Sequence, residues 1–183
     1  MEALAAGKLI INELTSSLNK LLPAQAEQFM EEIKRAKRIF CVGAGRSYII
    51  LNAFCMRLNQ LGMEAYVAGN VPCPPAQKGD LIIAASGSGT TPSVNVIVKR
   101  AKEAGARIAL ITASRDHNLA GIVDLEIVIQ APNGLVNKEN QESRQLMRTL
   151  YEQVCFILYE GIISALSENI PPEEIAARHT NLE

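Results

Sequence analysis

The stretch Asp80-Leu-Ile-Ile-Ala-Ala-Ser-Gly-Ser-Gly-Thr-Thr91 joins a short apolar run to a loop of glycines and hydroxyl-bearing residues. The apolar run has the length of a strand and no polar alternation, which indicates a strand buried on both faces of a parallel sheet. The loop carries four hydroxyls and two glycines in six residues, and Pro92 then suits the first turn of a helix. We therefore predict a strand, a tight loop and a helix in this order.

Strands and helices alternate along the rest of the chain in the same way. The predicted strands span residues 38–42, 65–68, 80–85, 107–112 and 125–129, and the predicted helices span 3–20, 24–37, 48–61, 92–103 and about 142–166, with a short last helix after Pro172. Such apolar strands are typical of a parallel sheet covered by helices on both faces. We predict a single α/β domain over residues 1–183, a three-layer α/β/α sandwich around a five-stranded parallel sheet, doubly wound and flavodoxin-like.

Composition and charge exclude several classes of function. The 183 residues carry a net charge of −1 and only 4% aromatic residues, so the chain offers neither the basic surface nor the stacking platforms of a nucleic-acid-binding protein. No apolar run reaches the roughly 20 residues that span a bilayer. The N-terminus also lacks the order of a signal peptide. We expect a cytoplasmic protein with no nucleic-acid or membrane partner.

The four cysteines form no metal-binding pattern, because none of them belongs to a C-x-x-C pair. Cys41 and Cys155 lie in apolar runs, where we expect buried thiols. The irregular spacings and the absence of a secretory segment argue against disulfides. We expect neither a metal ion nor an organic cofactor.

The loop of residues 86–91, called the serine loop below, is the strongest candidate for a binding site. In an open parallel sheet, ligands bind beyond the carboxyl ends of the strands. Hydroxyls, exposed N–H groups and the positive end of the following helix together suit a phosphate dianion. The loop has no lysine, so it is not a nucleoside-triphosphate P-loop. The alternative is an ordinary strand-to-helix turn with a serine cap.

A second loop, Gly43-Ala-Gly-Arg-Ser47, follows the first predicted strand. It lacks the third glycine of a dinucleotide fingerprint, and no acidic residue follows the second strand, which argues against nicotinamide binding. We expect Ser47 to cap the next helix and to face the same anion as the serine loop. Arg46 adds a planar charged donor. The alternative for Arg46 is a solvated loop charge.

Two further side chains fit the chemistry of proton transfer. Glu152 lies among apolar residues of the last long helix, where burial raises the pKa of a carboxyl group and suits it to act as a base. The alternative is a surface glutamate or one in a salt bridge. His179 is one of only two histidines, and a histidine so near a terminus is ordinarily solvated. We interpret the other, His117, as a loop residue.

Six short motifs resemble those of one known family. They are Gly43-Ala-Gly-Arg-Ser47, Ala53-Phe-Cys-Met-Arg-Leu58, Gly79-Asp80, Ser86-Gly-Ser-Gly89, Leu150-Tyr-Glu-Gln153 and Arg178-His-Thr-Asn-Leu-Glu183. Over nearly its whole length the chain resembles the SIS (sugar isomerase) family of phosphosugar-binding domains, and within that family the 6-phospho-3-hexuloisomerases. The serine loop is specific for the broad family, and the terminal motif for the hexulose phosphate isomerases.

The resemblance implies reversible conversion of D-arabino-hex-3-ulose 6-phosphate to D-fructose 6-phosphate, through an enediolate and without a cofactor. Such a shift of the carbonyl requires a base and a group that stabilises the enediolate oxygens. The resemblance assigns the catalytic roles to Glu152 and His179. We expect the phosphate to be bound by Ser47, Ser86, Gly87, Ser88, Gly89 and Thr91, and the rest of the substrate by Gly45, Arg46 and Arg148.

The resemblance also implies an oligomer, commonly a tetramer or a dimer. In the family the terminal segment reaches the active site of a neighbouring subunit. We therefore expect the helices of residues 1–36 and the segment of residues 170–183 to form contacts between subunits.

Two alternative functions remain open. One is a phosphosugar-binding regulator without catalysis; such regulators carry a fused DNA-binding domain, for which 183 residues leave no space. The other is an isomerase of a different sugar phosphate. It is suggested by Arg148, which stands where the family has glycine, and by residues 69–75, which replace a threonine-rich segment.

Overall fold

The computed structural model of the chain describes residues 2–132 and 143–182. The helices in this part of the chain are α1 (Ala3–Leu18), α2 (Pro23–Arg35), α3 (Gly45–Gln60), α4 (Pro92–Glu103), α5 (Thr149–Ser167) and α6 (Pro172–Ala177). The strands are β1 (Ile39–Val42), β2 (Ala65–Val67), β3 (Leu81–Ala85), β4 (Arg107–Thr112) and β5 (Leu125–Val128). The predicted alternation of strands and helices is confirmed.

The five strands form one parallel sheet in the order β2-β1-β3-β4-β5. The direction of winding changes between β1 and β3, which lie side by side with Val42 paired to Ala84. The loops that follow these two strands therefore start next to each other, at the switch point where α/β proteins bind ligands. The predicted fold class, a doubly wound α/β sandwich, is confirmed.

The two faces of the sheet are covered unequally. Alternate residues of a strand point to opposite faces. Cys41 and Ile83 belong to a core that also contains residues of α2, α3 and α5, with α1 packed against it. Phe40 and Ile82 belong to a smaller core under α4 alone. We call these the broad face and the narrow face. Cys155 is buried on the broad face with Cys41, as predicted.

Two helix starts differ from the prediction, and both differences come from backbone turns. Helix α3 begins at Gly45 rather than at residue 48, because Gly45 adopts a φ of +57° and directs the chain into the helix earlier. Helix α5 begins at Thr149 rather than near residue 142, which itself lies outside the described residues. Met147 and Arg148, with φ of +59° and +61°, are left-handed and cannot continue a right-handed helix toward the N-terminus.

In the part of the chain that the structure describes, no helix has both the length and the apolar character needed to cross a membrane.

Candidate functional site

A polar cavity of about 90 Å³ lies at the carboxyl ends of β1 and β3. Three segments of the chain line it. The loop after β1 contributes Ala44 and Ser47, the end of β3 and the serine loop contribute Ala85, Ser86, Gly87, Ser88 and Thr91, and the start of α5 contributes Arg148, Tyr151 and Glu152. The cavity therefore combines hydroxyls, a guanidinium group and a carboxyl group, which is the chemistry expected for an anionic, polyhydroxylated ligand.

A larger hollow of about 340 Å³ lies on the narrow face, between α4 and residues 73–76. It is mainly apolar, and among the described residues that line it only Arg100 carries a charge. It presents no carboxyl or imidazole group that could move a proton. We therefore take the polar cavity, although it is smaller, as the candidate site.

The serine loop is organised by its own hydroxyls. Ser86 Oγ lies 2.8 Å from Thr91 Oγ1 and accepts a hydrogen bond of 3.1 Å from the N–H of Gly89. Ser88 Oγ accepts bonds from the backbone N–H and the hydroxyl of Thr90, at 3.2 and 3.1 Å. No side chain in the described residues caps the N-terminus of α4. The loop is thus preformed, with the positive end of a helix directly behind it.

Two glycines of the serine loop lie where an added side chain would be crowded. Gly89 has a φ of +65°, and an added Cβ would overlap with Cβ of His117. At Gly87, an added Cβ would lie 3.1 Å from both Arg148 Cδ and Tyr151 Cδ1. The absence of a side chain at Gly87 is what allows α5 to approach the loop closely.

Glu152 is buried, with 9% of its surface exposed, and it lines the cavity. Burial raises its pKa, and the positive charges of Arg46 and Arg148 offset only part of that rise. Arg46 Nε lies 2.9 Å from Glu152 Oε2, but its N–H does not point at that oxygen, which accepts no hydrogen bond from the described residues. Both predicted interpretations therefore apply: the carboxyl group is buried, and it forms an ion pair.

Arg46 connects the starts of two helices. Besides its contact with Glu152, it donates a hydrogen bond of 2.9 Å from Nη1 to Thr149 Oγ1. The side chain is half-exposed, yet it is paired rather than freely solvated. Gly45, the residue before it, sets the turn into α3, and an added Cβ there would meet nothing within 4 Å.

The prediction that Ser47 caps α3 is wrong. The cap position is Ala44, no side chain of the described residues bonds to the helix terminus there, and Ser47 lies inside the first turn. The left-handed Gly45 starts the helix two residues before Ser47. The hydroxyl of Ser47 therefore lies too far into the helix to cap its N-terminus. Ser47 nevertheless lines the polar cavity.

Arg148 lines the cavity from a strained position. Its φ of +61° is a conformation that costs a residue other than glycine about 1–2 kcal/mol. The side chain extends over Gly87. A strained residue persists only where the surrounding structure holds it in place. Such residues are concentrated at functional sites.

His179 lies away from the cavity of its own chain. It follows α6, is exposed, and its Nδ1 lies 3.0 Å from the carbonyl oxygen of Thr180. The neighbouring Arg178 contacts Gly62 and the carbonyl of Gln60, at the edge of the sheet where β2 begins. That edge is opposite the carboxyl ends of the strands. The final residue of the terminal motif, at position 183, lies outside the described residues.

Two residues near the site were given no role from the sequence. Tyr151 is buried, lines the cavity and donates a hydrogen bond of 2.8 Å from its hydroxyl to the carbonyl of Ile111, which ties α5 to β4. His117 lies in a loop, as interpreted, but its side chain is buried: Nε2 lies 2.9 Å from Glu126 Oε1, and Nδ1 accepts the N–H of Leu119 at 3.2 Å. The sequence offers one weak signal for each: Tyr151 lies on the apolar face of a helix, and His117 lies shortly after the end of a strand.

Within residues 2–132 and 143–182, no group of three or more histidine, cysteine, aspartate or glutamate side chains is arranged to hold a metal ion. The polar cavity itself contains one carboxyl group and no imidazole or thiol among its described lining.

Comparison with known proteins places the chain in a family. Residues 32–154 match the model of the SIS domain. The chain is similar to the 3-hexulose-6-phosphate isomerase of Mycobacterium gastri, with 37% identity over 177 residues that cover 96% of this chain and 88% of the relative. It is 32% identical to the 3-hexulose-6-phosphate isomerase of Bacillus subtilis (strain 168) over 178 residues, 95% of each chain.

A solved structure supports the same placement. A crystal structure of a Methanococcus jannaschii protein, for which a function of 3-hexulose-6-phosphate isomerase was inferred, superposes with a TM-score of 0.83 at 30% identity. The superposition covers 98% of this chain and 99% of that chain. The chain therefore belongs to the SIS domain family.

Proposed function

We propose that this protein is a phosphosugar isomerase that interconverts D-arabino-hex-3-ulose 6-phosphate and D-fructose 6-phosphate. The observation that carries the proposal is a buried carboxyl group, Glu152, beside a preformed loop of serines in one polar cavity. Support comes from the relatives named for this reaction, which match nearly the full chain. We propose that residues 1–183 act as one phosphosugar-binding domain.

The serine loop is the proposed phosphate site. The hydroxyls of Ser47, Ser86, Ser88 and Thr91 surround the cavity on two sides. The backbone at Gly87 and Gly89 allows the phosphate oxygens to approach the N–H groups at the start of α4. Hydrogen bonds to a charged group of this kind contribute roughly 1.5–3 kcal/mol each.

Glu152 is the proposed base. In the forward direction it removes the proton from carbon 2 of the 3-ketose, next to the carbonyl at carbon 3. The resulting enediolate carries negative charge on its oxygens. A proton moves from the oxygen on carbon 2 to the oxygen on carbon 3, and Glu152 returns the first proton to carbon 3, which gives the 2-ketose. Glu152 lines the cavity and burial raises its pKa, so a substrate held there meets a carboxylate of increased basicity. The guanidinium groups of Arg46 and Arg148 are the proposed contacts for the substrate oxygens.

His179 is the proposed second catalytic group, supplied by another subunit. Within one chain it lies at the opposite edge of the sheet from the cavity, so only a neighbouring copy can deliver it. An apolar surface suited to such contacts lies on α3 and α5, where Ile49, Met56 and Phe156 are 66%, 52% and 40% exposed. We propose a homotetramer or homodimer that also uses residues 1–36 and 170–183. A phosphorylated hexose as substrate supports a role in cytoplasmic carbohydrate metabolism.

The decisive experiment is a direct assay with the purified protein. Hexulose 6-phosphate is supplied, and formation of fructose 6-phosphate is followed by a coupled reaction that reduces a nicotinamide cofactor. We expect turnover without added metal, and unchanged turnover after treatment with a chelator. Tight binding of fructose 6-phosphate without turnover would refute the isomerase and would favour a regulatory binding protein.

A second candidate function rests on one residue. Arg148 places a guanidinium group over Gly87, on the wall of the cavity. This group favours a substrate with an extra anionic or hydroxyl oxygen at that point. An isomerase of a different sugar phosphate is therefore the alternative, and a panel of aldose and ketose phosphates in the same assay distinguishes the two.

A further inference from the structure

Glu13, on α1, binds the segment that leads into α5. Its Oε2 accepts hydrogen bonds of 2.7 Å from Ser143 Oγ and 2.9 Å from Gln145 Nε2, and its Oε1 accepts one of 3.0 Å from the N–H of Arg144. One carboxyl group thus holds three consecutive residues that lie about 130 positions away in the sequence. Nothing in the proposed chemistry uses this contact.

The anchored segment continues directly into the left-handed turn, which we define as Met147 and Arg148. Both residues have positive φ, at +59° and +61°. The turn closes onto α5 through Leu146, whose carbonyl accepts the N–H of Thr149 at 3.1 Å and its hydroxyl at 2.6 Å. Only one residue separates the last anchored position, Gln145, from the turn.

The left-handed turn is costly and must be held from outside. A residue other than glycine is strained in this conformation, so an unrestrained segment would leave it. The side chain of Met147 is 58% exposed, so its burial supplies little restraint. The hydrogen bonds that Glu13 accepts fix the chain immediately before the turn, where they limit the rotation of the backbone that follows.

Helix α1 is itself a firm support for this anchor. Ser17, one turn further along α1, is buried and donates a hydrogen bond of 2.9 Å to the carbonyl of Gln130, just after β5. Leu14 and Leu18 pack against the core of the broad face. The carboxyl group of Glu13 is therefore held in place by the sheet and by α5, and it can restrain another segment.

The charge state of Glu13 matches its three donors. Burial acts to raise its pKa, but the hydrogen bonds from Arg144, Gln145 and Ser143 outweigh burial, so the pKa of Glu13 lies below its ordinary value. An ionised carboxylate accepts hydrogen bonds on both oxygens, as these three donors require. A glutamine side chain here would direct its NH2 group at one of the donors and lose that hydrogen bond.

We propose that Glu13 is a positioning residue for the reaction: it holds residues 143–145 and thereby keeps Arg148 and Glu152 in their places on the cavity wall. The inference rests on the proposed function for its kinetic consequence. It assigns to the N-terminal helix a role in the geometry of the active site.

The kinetic test compares Glu13→Ala and Glu13→Gln with a control, Glu103→Gln, at an exposed position on α4. Because displacement of a catalytic group by about 1 Å can cost up to a hundredfold in rate, we expect Glu13→Ala to lower kcat by about tenfold or more. Glu13→Gln keeps one acceptor and the size of the side chain, so its loss is smaller. Binding of inorganic phosphate, which uses the serine loop, stays unchanged. Weaker phosphate binding equal to the loss of kcat would overturn the proposal.

A rescue experiment separates positioning from simple stabilisation. Glycine adopts a positive φ at no steric cost, so Met147→Gly lets the turn form without the anchor. We expect the double variant Glu13→Ala, Met147→Gly to recover at least about fivefold of the lost kcat, which corresponds to the lower limit of the strain of one residue. A double variant as slow as Glu13→Ala alone would overturn the proposal.

Hydrogen exchange tests the anchor without reference to catalysis. Glu13→Ala and Glu13→Gln are expected to speed exchange of the backbone N–H groups of Arg144, Thr149 and Glu152, while those of the serine loop keep their rates. Exchange at these three positions that matches the wild-type rate would refute the anchoring role. If the wild-type protein fails to turn over hexulose 6-phosphate, the proposed function fails, and the exchange rates still decide on Glu13.

Discussion

The serine loop and the left-handed turn face each other across the same cavity, but they are built in opposite ways. The serine loop has glycine, Gly89, where its backbone needs a positive φ, and its hydroxyls bond to one another within six residues. The turn has Met147 and Arg148 at positive φ, and its restraint comes from Glu13 on a distant helix. One wall of the cavity is determined locally and the other by long-range contacts.

We expect the serine loop to determine phosphate binding and the left-handed turn to determine the catalytic step. A loop that is fixed by its own residues retains a phosphate in the same way whatever sugar is attached. A turn that depends on contacts with another helix changes its shape when those contacts change. This turn contains Arg148 and leads into the first turn of α5, which carries Glu152. We therefore expect changes on the loop side to alter phosphate affinity, and changes on the turn side to alter turnover and sugar specificity.

The largest effect is expected for Glu152→Gln. The amide cannot accept the proton from carbon 2, so kcat should fall by about a thousandfold, within the range that general acid–base catalysis contributes. Affinity for fructose 6-phosphate should change little, because the phosphate site lies across the cavity. Coupled kinetics and isothermal titration measure the two quantities. Glu160→Gln, at a half-buried position further along α5, is the control and should keep the wild-type rate. A wild-type rate in Glu152→Gln would show that another residue is the base.

The second effect tests whether the loop side depends on glycine. In Gly89→Ala, the new methyl group overlaps with Cβ of His117, and alanine also disfavours the positive φ. The two penalties together cost about 2 kcal/mol or more, which is about thirtyfold in affinity for fructose 6-phosphate. Gly121→Ala is the control, because Gly121 has a similar φ of +81° with nothing within 4 Å of an added Cβ. Equal affinities in the two variants would contradict a preformed loop.

The third effect concerns the charge that links the two walls. Burial raises the pKa of Glu152, and the charge of Arg46 lowers it in part. The base works only when ionised, so activity is lost as the pH falls through this raised pKa. In Arg46→Met the pKa of Glu152 rises further, so the acid side of the pH–rate profile should move to higher pH and the rate at low pH should fall. Arg57→Met, on the same helix but away from the cavity, should leave the profile unmoved, and an unmoved profile in Arg46→Met would disprove the coupling.

The smallest effect is a gain in thermal stability, because Arg148→Gly removes backbone strain, whereas Gly89→Ala introduces it. Arg148→Gly relieves about 1–2 kcal/mol of backbone strain, partly offset by the greater freedom of glycine in the unfolded chain. We expect an increase in Tm of about 2–4 °C, the shift that 1 kcal/mol produces in a chain of this size. Arg148→Ala removes the same guanidinium group but keeps the strained φ, so it should melt like the wild type. Equal Tm values for the glycine and alanine variants would show that the turn stores no strain.

The sequence predicts the locally determined features and misses those that arise at long range. Apolar runs such as residues 81–85 identify the strands because a buried parallel strand needs no polar positions. The start of α5 could not be predicted, because neither Met147 nor Arg148 is a residue type that signals a left-handed turn. The cap assigned to Ser47 was wrong because one glycine advanced the helix. The contact of Glu13 with Ser143 joins residues 130 positions apart and leaves no local pattern.

The exposure of Arg46 has a consequence for how the reaction is shielded. Half of its side chain is exposed, although its Nε lies 2.9 Å from Oε2 of the buried Glu152. Solvent therefore reaches the rim of the polar cavity on the side where Arg46 contacts the proposed base. Bulk water at that rim would protonate and solvate an enediolate. A second subunit that brings His179 to the rim would therefore also serve as the roof of a reaction chamber that a single chain leaves open to solvent.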